Sequence, residues 1–185
     1  MQKMMRGKEG LLSLAQGIVH WKPPPSAVDA VRAGLDEDDT NSYCADDGLA
    51  ALREALTAKI KRENGLANSA IMVTSGSNQA YVNACLCLLD QHDVAIVFCP
   101  YYFNHMMALQ MVGANVETAA VLDNLQPDLE ALAKRLSSST HAPVKLVTVC
   151  NPGNPTGVMV PKASLGTTSE KSHLQRPSIV NILGH

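Results

Sequence analysis

Aromatic side chains are scarce in this chain: one tryptophan, four tyrosines and two phenylalanines in 185 residues. Charge is thin as well, at 17% of residues, and the formal net charge is only -2 with no basic run. That balance excludes a phosphate-backbone footprint, so neither nucleic acid nor an anionic membrane surface is an expected partner. No apolar stretch approaches the roughly 20 residues needed to cross a bilayer, which excludes a membrane-spanning helix from the expected architecture. The five cysteines are odd in number, and the N-terminus has no secretory pattern. A disulfide framework is therefore not expected, and the reading is of a reducing, cytoplasmic setting. Cys85 and Cys87 fall in an apolar helical stretch and read as two buried thiols. No cysteine and histidine cluster has ligand spacing, so no metal is expected. Neither G-x-G-x-x-G nor G-x-x-x-x-G-K-[ST] occurs, which counts against a nucleotide-binding fold of the Rossmann type.

What is present describes a globular α/β chain. Hydrophobic residues make up 46%, enough for one domain with a core. Met1 to Gly10 is polar and aperiodic. Pro23-Pro24-Pro25 excludes a helix until Ser26, a fair N-cap for a helix through Val28, Val31 and Leu35. Leu49, Leu52, Leu56 and Ile60 repeat at helical spacing over residues 49 to 63. Ile71 to Thr74 reads as a short strand, followed by a helix with Val82, Cys85, Leu86 and Leu89 on one face. Val94 to Phe98 is a second, buried strand; Met106 to Val112 suggests a helix stopped by Gly113. Residues 116 to 122 read as a strand. A helix starting at Pro127 turns Leu129, Leu132 and Leu136 inward. Leu146 to Cys150, β-branched and apolar, is another buried strand.

Three junctions carry chemistry. Asn151-Pro152-Gly153-Asn154-Pro155-Thr156-Gly157 follows the last of these strands. Ligands of open parallel sheets sit beyond the carboxyl ends of the strands. Each proline fixes φ and restricts the residue before it, so this loop can hold one amide side chain in a fixed pose. Asn154 is best placed for that; a plain Pro/Gly-rich turn is the alternative. Thr74-Ser75-Gly76-Ser77-Asn78 turns a strand into a helix N-terminus, a generic anion site worth about 0.3–2 kcal/mol to a charge. Cys99-Pro100-Tyr101-Tyr102-Phe103 groups three of the seven aromatics at a strand end, either as core or as a stacking face.

Together these segments resemble class I/II aminotransferases, the fold-type I enzymes that use pyridoxal 5'-phosphate (PLP). The resemblance covers roughly Leu11 to Pro161, with the motifs in the family's order. It implies a partial three-layer large domain, a mostly parallel sheet with flanking helices. It implies that Gly76, Ser77 and Asn78 cup the cofactor phosphate, that Tyr102 stacks on the pyridine ring, and that Asn154 bonds its phenolic oxygen. Tyr43, before Gly48 and Leu52-Arg53, takes the place of a tyrosine reaching a neighbouring subunit's phosphate across a homodimer; otherwise it is a loop tyrosine. Gly17 takes the place of a glycine against the substrate carboxylate; a turn glycine is the alternative. The peptide bonds before Pro100 and Pro155 are expected to be cis by the same resemblance.

The resemblance stops after Pro161. The family continues into an aspartate facing the pyridine nitrogen, a Ser-x-x-Lys segment with the cofactor lysine, and a small domain with a carboxylate-binding arginine. None of these is present, and Lys171 follows Asn154 too closely to serve. The implied organisation is an N-terminal arm over 1–25 and a partial PLP-binding large domain over 26–162. The domain includes a piece of the small domain to about 45, and residues 163–185 form an unrelated, unpacked tail. The implied parent reaction is amino-group transfer between an amino acid and a 2-oxo acid, nearest in character to enzymes of aromatic, sulfur-containing or kynurenine-type amino acids. No catalytic residue is assigned, and the chain reads as a truncated form of low or no activity. The alternative is a non-catalytic module that binds a phosphate ligand or an intact subunit.

Overall fold

The computed structural model describes residues 6–7, 9–10, 17, 19–164 and, as backbone, 178–183. The chain divides into two compact units, Met1–Ala45 and Asp46–His185. The first unit holds helix α1, Pro25–Gly34, and a short 3-10 turn over Asp38–Asn41. Helix α1 is capped by Pro24 rather than Ser26, with proline at its first turn. Proline lacks the N–H that a first helical residue leaves unused anyway. Val31 is exposed, as is Leu35, which was expected within the helix and instead follows its last residue.

The second unit opens with helix α2, Ala50–Asn64, which ends on Gly65 in the left-handed region. The leucine stripe anticipated there exists in the sequence, yet none of its residues is buried. Helix α3 spans Ser77–Leu88, strand β1 Val94–Phe98, helix α4 Phe103–Val112 and strand β2 Asn115–Ala119. Helix α5 is Leu129–Leu136 and strand β3 Val144–Asn151. The Asp128 side chain accepts from the Ala131 amide at 2.9 Å, which places the start of α5 after Pro127. Strand β4, Ser178–Leu183, completes a sheet of order β2-β1-β3-β4.

All three strand pairings are parallel. Every residue of β1 is buried, as a parallel strand covered on both faces must be. Ile96, Phe98, Val147 and Val149 face α5, packing on Leu132 and Leu136. Ala95, Val97 and Leu146 face the other way, onto Tyr81 and Cys85 of α3 and Leu109 of α4. The result is the expected three-layer α/β arrangement, with each fully buried Leu, Ile or Val contributing about 1.5–3 kcal/mol. Chain direction splits at β1: one neighbour, β2, follows through α4, and the other, β3, follows through α5 on the opposite face. This is a topological switch point, where such sheets open a crevice.

Three expectations are corrected. Ile71–Thr74 forms no strand: its one ladder-like bond is Val73 N–H to the Asp47 carbonyl at 2.9 Å. No strand of the described sheet lies beside it, so its apolar run has no partner to pair with. Cys87 is exposed while Cys85 is buried, because two residues along a helix turn through about 200°; Leu86, expected on the buried face, is exposed as well. The stretch after Pro161 is not wholly without structure. Ser178–Leu183 pairs along β3 from Leu146↔Ser178 to Asn151↔Leu183, since a β-branched run beside an unpaired strand edge supplies the backbone partners that edge needs. Among the described residues no helix is long and apolar enough to cross a membrane, and no group of three metal-ligating side chains occurs.

Candidate functional site

Two of the residues singled out from the sequence, Tyr102 and Asn154, lie beyond the carboxyl ends of β1 and β3. A pocket there is lined by Pro100, Tyr101, Tyr102 and His105 from the β1 side. Cys150, Gly153, Asn154 and Thr156 line it from the β3 side. Tyr102 and Asn154, distant in sequence, therefore share one cavity because their strands are neighbours.

The β3 loop is held by a clamp. Asn151 is buried, and its Oδ1 accepts from the Val160 amide at 2.9 Å, while its Nδ2 reaches the Val160 carbonyl at 3.5 Å. The loop between closes on itself: Gly153 N–H donates to the Val158 carbonyl at 2.9 Å and Gly157 N–H to the Gly153 carbonyl at 2.7 Å. A Cβ at position 153 would lie 2.5 Å from Thr156 Oγ1, so only glycine fits. The peptide bonds before Pro100, Pro152 and Pro155 are cis. Two of these were anticipated; the one before Pro152 was not.

The β1 loop is fixed by rings. Asn104 Nδ2 donates to the Tyr102 hydroxyl at 2.7 Å. The His105 ring meets Tyr102 edge-on at 5.2 Å and Tyr81 at 4.5 Å. Tyr81 in turn shares a 2.8 Å hydrogen bond with Thr148 Oγ1, tying α3 to β3 beneath the pocket. Burial pushes the Tyr81 phenol up and holds the His105 imidazole below its ordinary value, so both are neutral polar groups near neutral pH.

Gly76, Ser77 and Asn78 stand apart from this cavity's lining, at the start of α3. Gly76 has φ 97° and ψ 168°, a region open essentially to glycine alone. No side chain caps the helix, so its first amides face outward without an intrahelical partner. Ser77 and Asn78 are exposed. Ser75 N–H donates to Gln79 Oε1 at 2.6 Å, and Thr74 Oγ1 to the Gly76 carbonyl at 3.0 Å, which stiffens the turn. Tyr43 and Gly17 belong to the first unit; Tyr43 is fully exposed, and among the described residues nothing comes within 4 Å of a Cβ placed on Gly17. Lys171 lies outside the described residues.

Sequence reasoning passed over Asn151, Tyr81, Thr148 and His105. His105 was discoverable, standing one helical turn after Tyr102 and thus on the same side. Asn151 was read only as a turn residue, and nothing local marks its side chain as turned inward.

The geometry can be set beside known proteins. The family profile described as "Aminotransferase class I and II" matches residues 9–173, past the point where the recognisable motifs end. The aromatic aminotransferase ISS1 of Arabidopsis thaliana is 46% identical over 156 residues, covering 83% of this chain and 39% of that protein. The aspartate/prephenate aminotransferase of Thermus thermophilus is 33% identical over 159 residues, covering 84% and 40%. A solved aspartate aminotransferase tetra mutant from Thermus thermophilus superposes with a TM-score of 0.82 at 29% identity, over 90% of this chain and 46% of its own. An aminotransferase from Mycobacterium tuberculosis shares the fold over 97% of the chain, with a TM-score of 0.85 at 23% identity. The chain spans about two-fifths of the length of the curated relatives it matches.

Proposed function

Because the chain belongs to the class I and II aminotransferases, a PLP-dependent family, we propose that it carries part of that family's cofactor cradle and that by itself it has low or no activity. The observation that carries this reading is the meeting of Tyr102 and Asn154 in one pocket at the ends of adjacent strands. The residues present fit the non-covalent part of the task. The uncapped start of α3 at Gly76, Ser77 and Asn78 offers amides to a phosphate. Tyr102, pinned by Asn104, offers a flat face to the ring. Asn154, on the loop clamped by Asn151, offers an amide donor to a phenolic oxygen.

PLP, when bound, supplies an electron sink for bonds at the amino acid's α-carbon. Among the described residues, no lysine and no carboxylate lines the pocket. The described residues of the pocket thus bind and orient, and none of them is placed to move a proton in the reaction. Tyr43 and Gly17 complete the proposal, the first toward a neighbouring subunit in a homodimer and the second toward a substrate carboxylate. The substrates of the parent reaction would be an amino acid and a 2-oxo acid. The exposed, uncapped start of α3 also favours a second reading, a non-catalytic module for phosphate ligands.

The test is a spectroscopic titration of the purified chain with PLP, followed by borohydride reduction and mass spectrometry. Weak binding, lowered about 10- to 100-fold in Asn154→Ala, is expected, because a hydrogen bond to a charged group is worth about 1.5–3 kcal/mol. Binding unchanged in both Asn154→Ala and Tyr102→Ala would overturn the site. Stoichiometric labelling of one lysine, with turnover of an amino acid and a 2-oxo acid, would overturn the inactive chain. Phosphate-bearing ligands without a pyridine ring binding as well as PLP would favour the second reading.

A further inference from the structure

Besides Tyr81, the described residues bury three side chains that carry nitrogen or oxygen: His105, Thr148 and Asn151. Two of the three are bonded. Thr148 Oγ1 shares a hydrogen bond with the Tyr81 hydroxyl at 2.8 Å, and Asn151 Oδ1 accepts from the Val160 amide at 2.9 Å. His105 is only 4% exposed. No described residue hydrogen-bonds either of its ring nitrogens, and burial is the sole influence on its charge. Buried polar groups are nearly always paired, so an exception calls for a partner. The rings around it do not serve. His105 meets Tyr81 at 4.5 Å and Tyr102 at 5.2 Å, ring against ring. The hydroxyls of both tyrosines are engaged elsewhere, with Thr148 and Asn104. What His105 does border is the pocket that Tyr102 and Asn154 also line.

We propose that His105 donates a hydrogen bond to the ring nitrogen of PLP, the one polar atom of the cofactor that the other residues leave unmatched. In the cradle proposed above, the start of α3 takes the phosphate and Asn154 the phenolic oxygen. The aldehyde must stay free for an incoming amino group. That leaves the ring nitrogen, and an acceptor buried without a donor is destabilising. A neutral imidazole has one N–H to give, and burial keeps His105 neutral near neutral pH. Among the described residues no carboxylate lines the pocket, so a protonated ring nitrogen would be a buried cation without a counter-charge. His105 therefore favours the unprotonated form. The ligand class this selects is a flat ring with an acceptor nitrogen in its plane, which neither a bare phosphate nor a carbocyclic ring supplies. The inference rests on the cofactor reading, and the experiment separates the two.

The full chain, wild type and His105→Phe, is titrated with PLP and with its carbocyclic analogue, in which C–H replaces the ring nitrogen. The preference for PLP over the analogue should fall about 3- to 10-fold in His105→Phe, the loss of one hydrogen bond. Analogue binding itself should not weaken. In the wild-type chain, PLP isotope-labelled at its ring nitrogen should give the magnetic resonance signal of an unprotonated, hydrogen-bonded pyridine, a measurement that needs no variant. His105→Phe weakening both ligands equally, or neither, would overturn the inference, as would a pyridinium signal. If Asn154→Ala and Tyr102→Ala lower PLP binding while His105→Phe leaves the preference intact, this inference falls and the cradle stands. If the wild-type chain binds no PLP, both fall.

Discussion

Two side chains hold the extended segment that follows the Asn154 loop, and they allow burial to be separated from bonding. Asn151 Oδ1 accepts from the Val160 amide at 2.9 Å, with Asn151 and Val160 each only 6% exposed. Gln126 Nε2 donates to the adjacent Met159 carbonyl at 2.7 Å, at an exposed position. Truncating Asn151 to alanine removes a bond worth about 1 kcal/mol net and strands a buried N–H, at a further 1–3 kcal/mol. The 3.5 Å contact from Nδ2 to the Val160 carbonyl is too long to add much. Asn151→Ala should therefore cost about 2–4 kcal/mol. Gln126→Ala should cost at most about 0.5 kcal/mol, because water takes over at the exposed carbonyl. In urea unfolding with a slope of about 2 kcal/mol/M, the first variant moves the midpoint down by about 1–2 M. By the same slope the second moves it by about 0.25 M or less, both with the slope unchanged. Equal losses, or a larger loss for Gln126→Ala, would refute the argument that the stranded amide, not the bond itself, sets the cost.

Other consequences follow from the same geometry. Gly153→Ala should destabilise by about 1–3 kcal/mol through the clash with Thr156 Oγ1. A double-mutant cycle with Thr156→Ala should recover part of that loss, and strict additivity would show that the clash is not its source. Arg135, bonded to Glu117 at 2.7 and 2.8 Å, holds that carboxyl below its ordinary value. Its stabilisation is thus complete above the unfolded value of about 4.3 and lost as pH falls through the lowered folded one. Stability measured down the acid limb should fall less steeply in Glu117→Gln, and superimposable limbs would contradict the pairing. Burial lowers the His105 imidazole, so the unfolded chain binds its proton first and stability should decline below about pH 6.5. That decline, at most about 1.4 kcal/mol per pH unit, should vanish in His105→Gln when thermal melts are compared at pH 7.5 and 5.5.

The parts of the fold written most plainly in the sequence are those whose own residues settle them. Val94–Phe98 and Leu146–Cys150 are continuous apolar runs, and only a strand buried on both faces uses such a run. Leu132 and Leu136 sit on the buried stripe of a helix with a legible N-cap. Where an element depends on a neighbour, the sequence was silent or misleading. Ile71–Thr74 has strand composition but no strand beside it, and the α2 leucines have a stripe but no cover. Ser178–Leu183 carried a β-branched run, yet only the unpaired edge of β3 makes it a strand. The same division runs through the site. Asn154, Tyr102 and Gly76 stand in short motifs whose wording is local. Asn151, His105 and the Tyr81–Thr148 bond act through residues distant in the chain, and no local pattern announces them.

The order β2-β1-β3-β4 has a further consequence for how much the chain can vary. Tyr102 and Asn154 hang from the ends of strands that are adjacent in space, while α4, β2 and α5 intervene in the chain. Their separation is thus set by one interstrand spacing and by the two loops themselves, not by the length of what lies between. The exposed turn from Ser138 to Ala142 can lengthen as a surface loop does, each doubling costing only about 0.6 kcal/mol, without moving either residue. The cradle is insulated from its own connecting chain, and insertions there are tolerated where a one-residue slip in β3 is not.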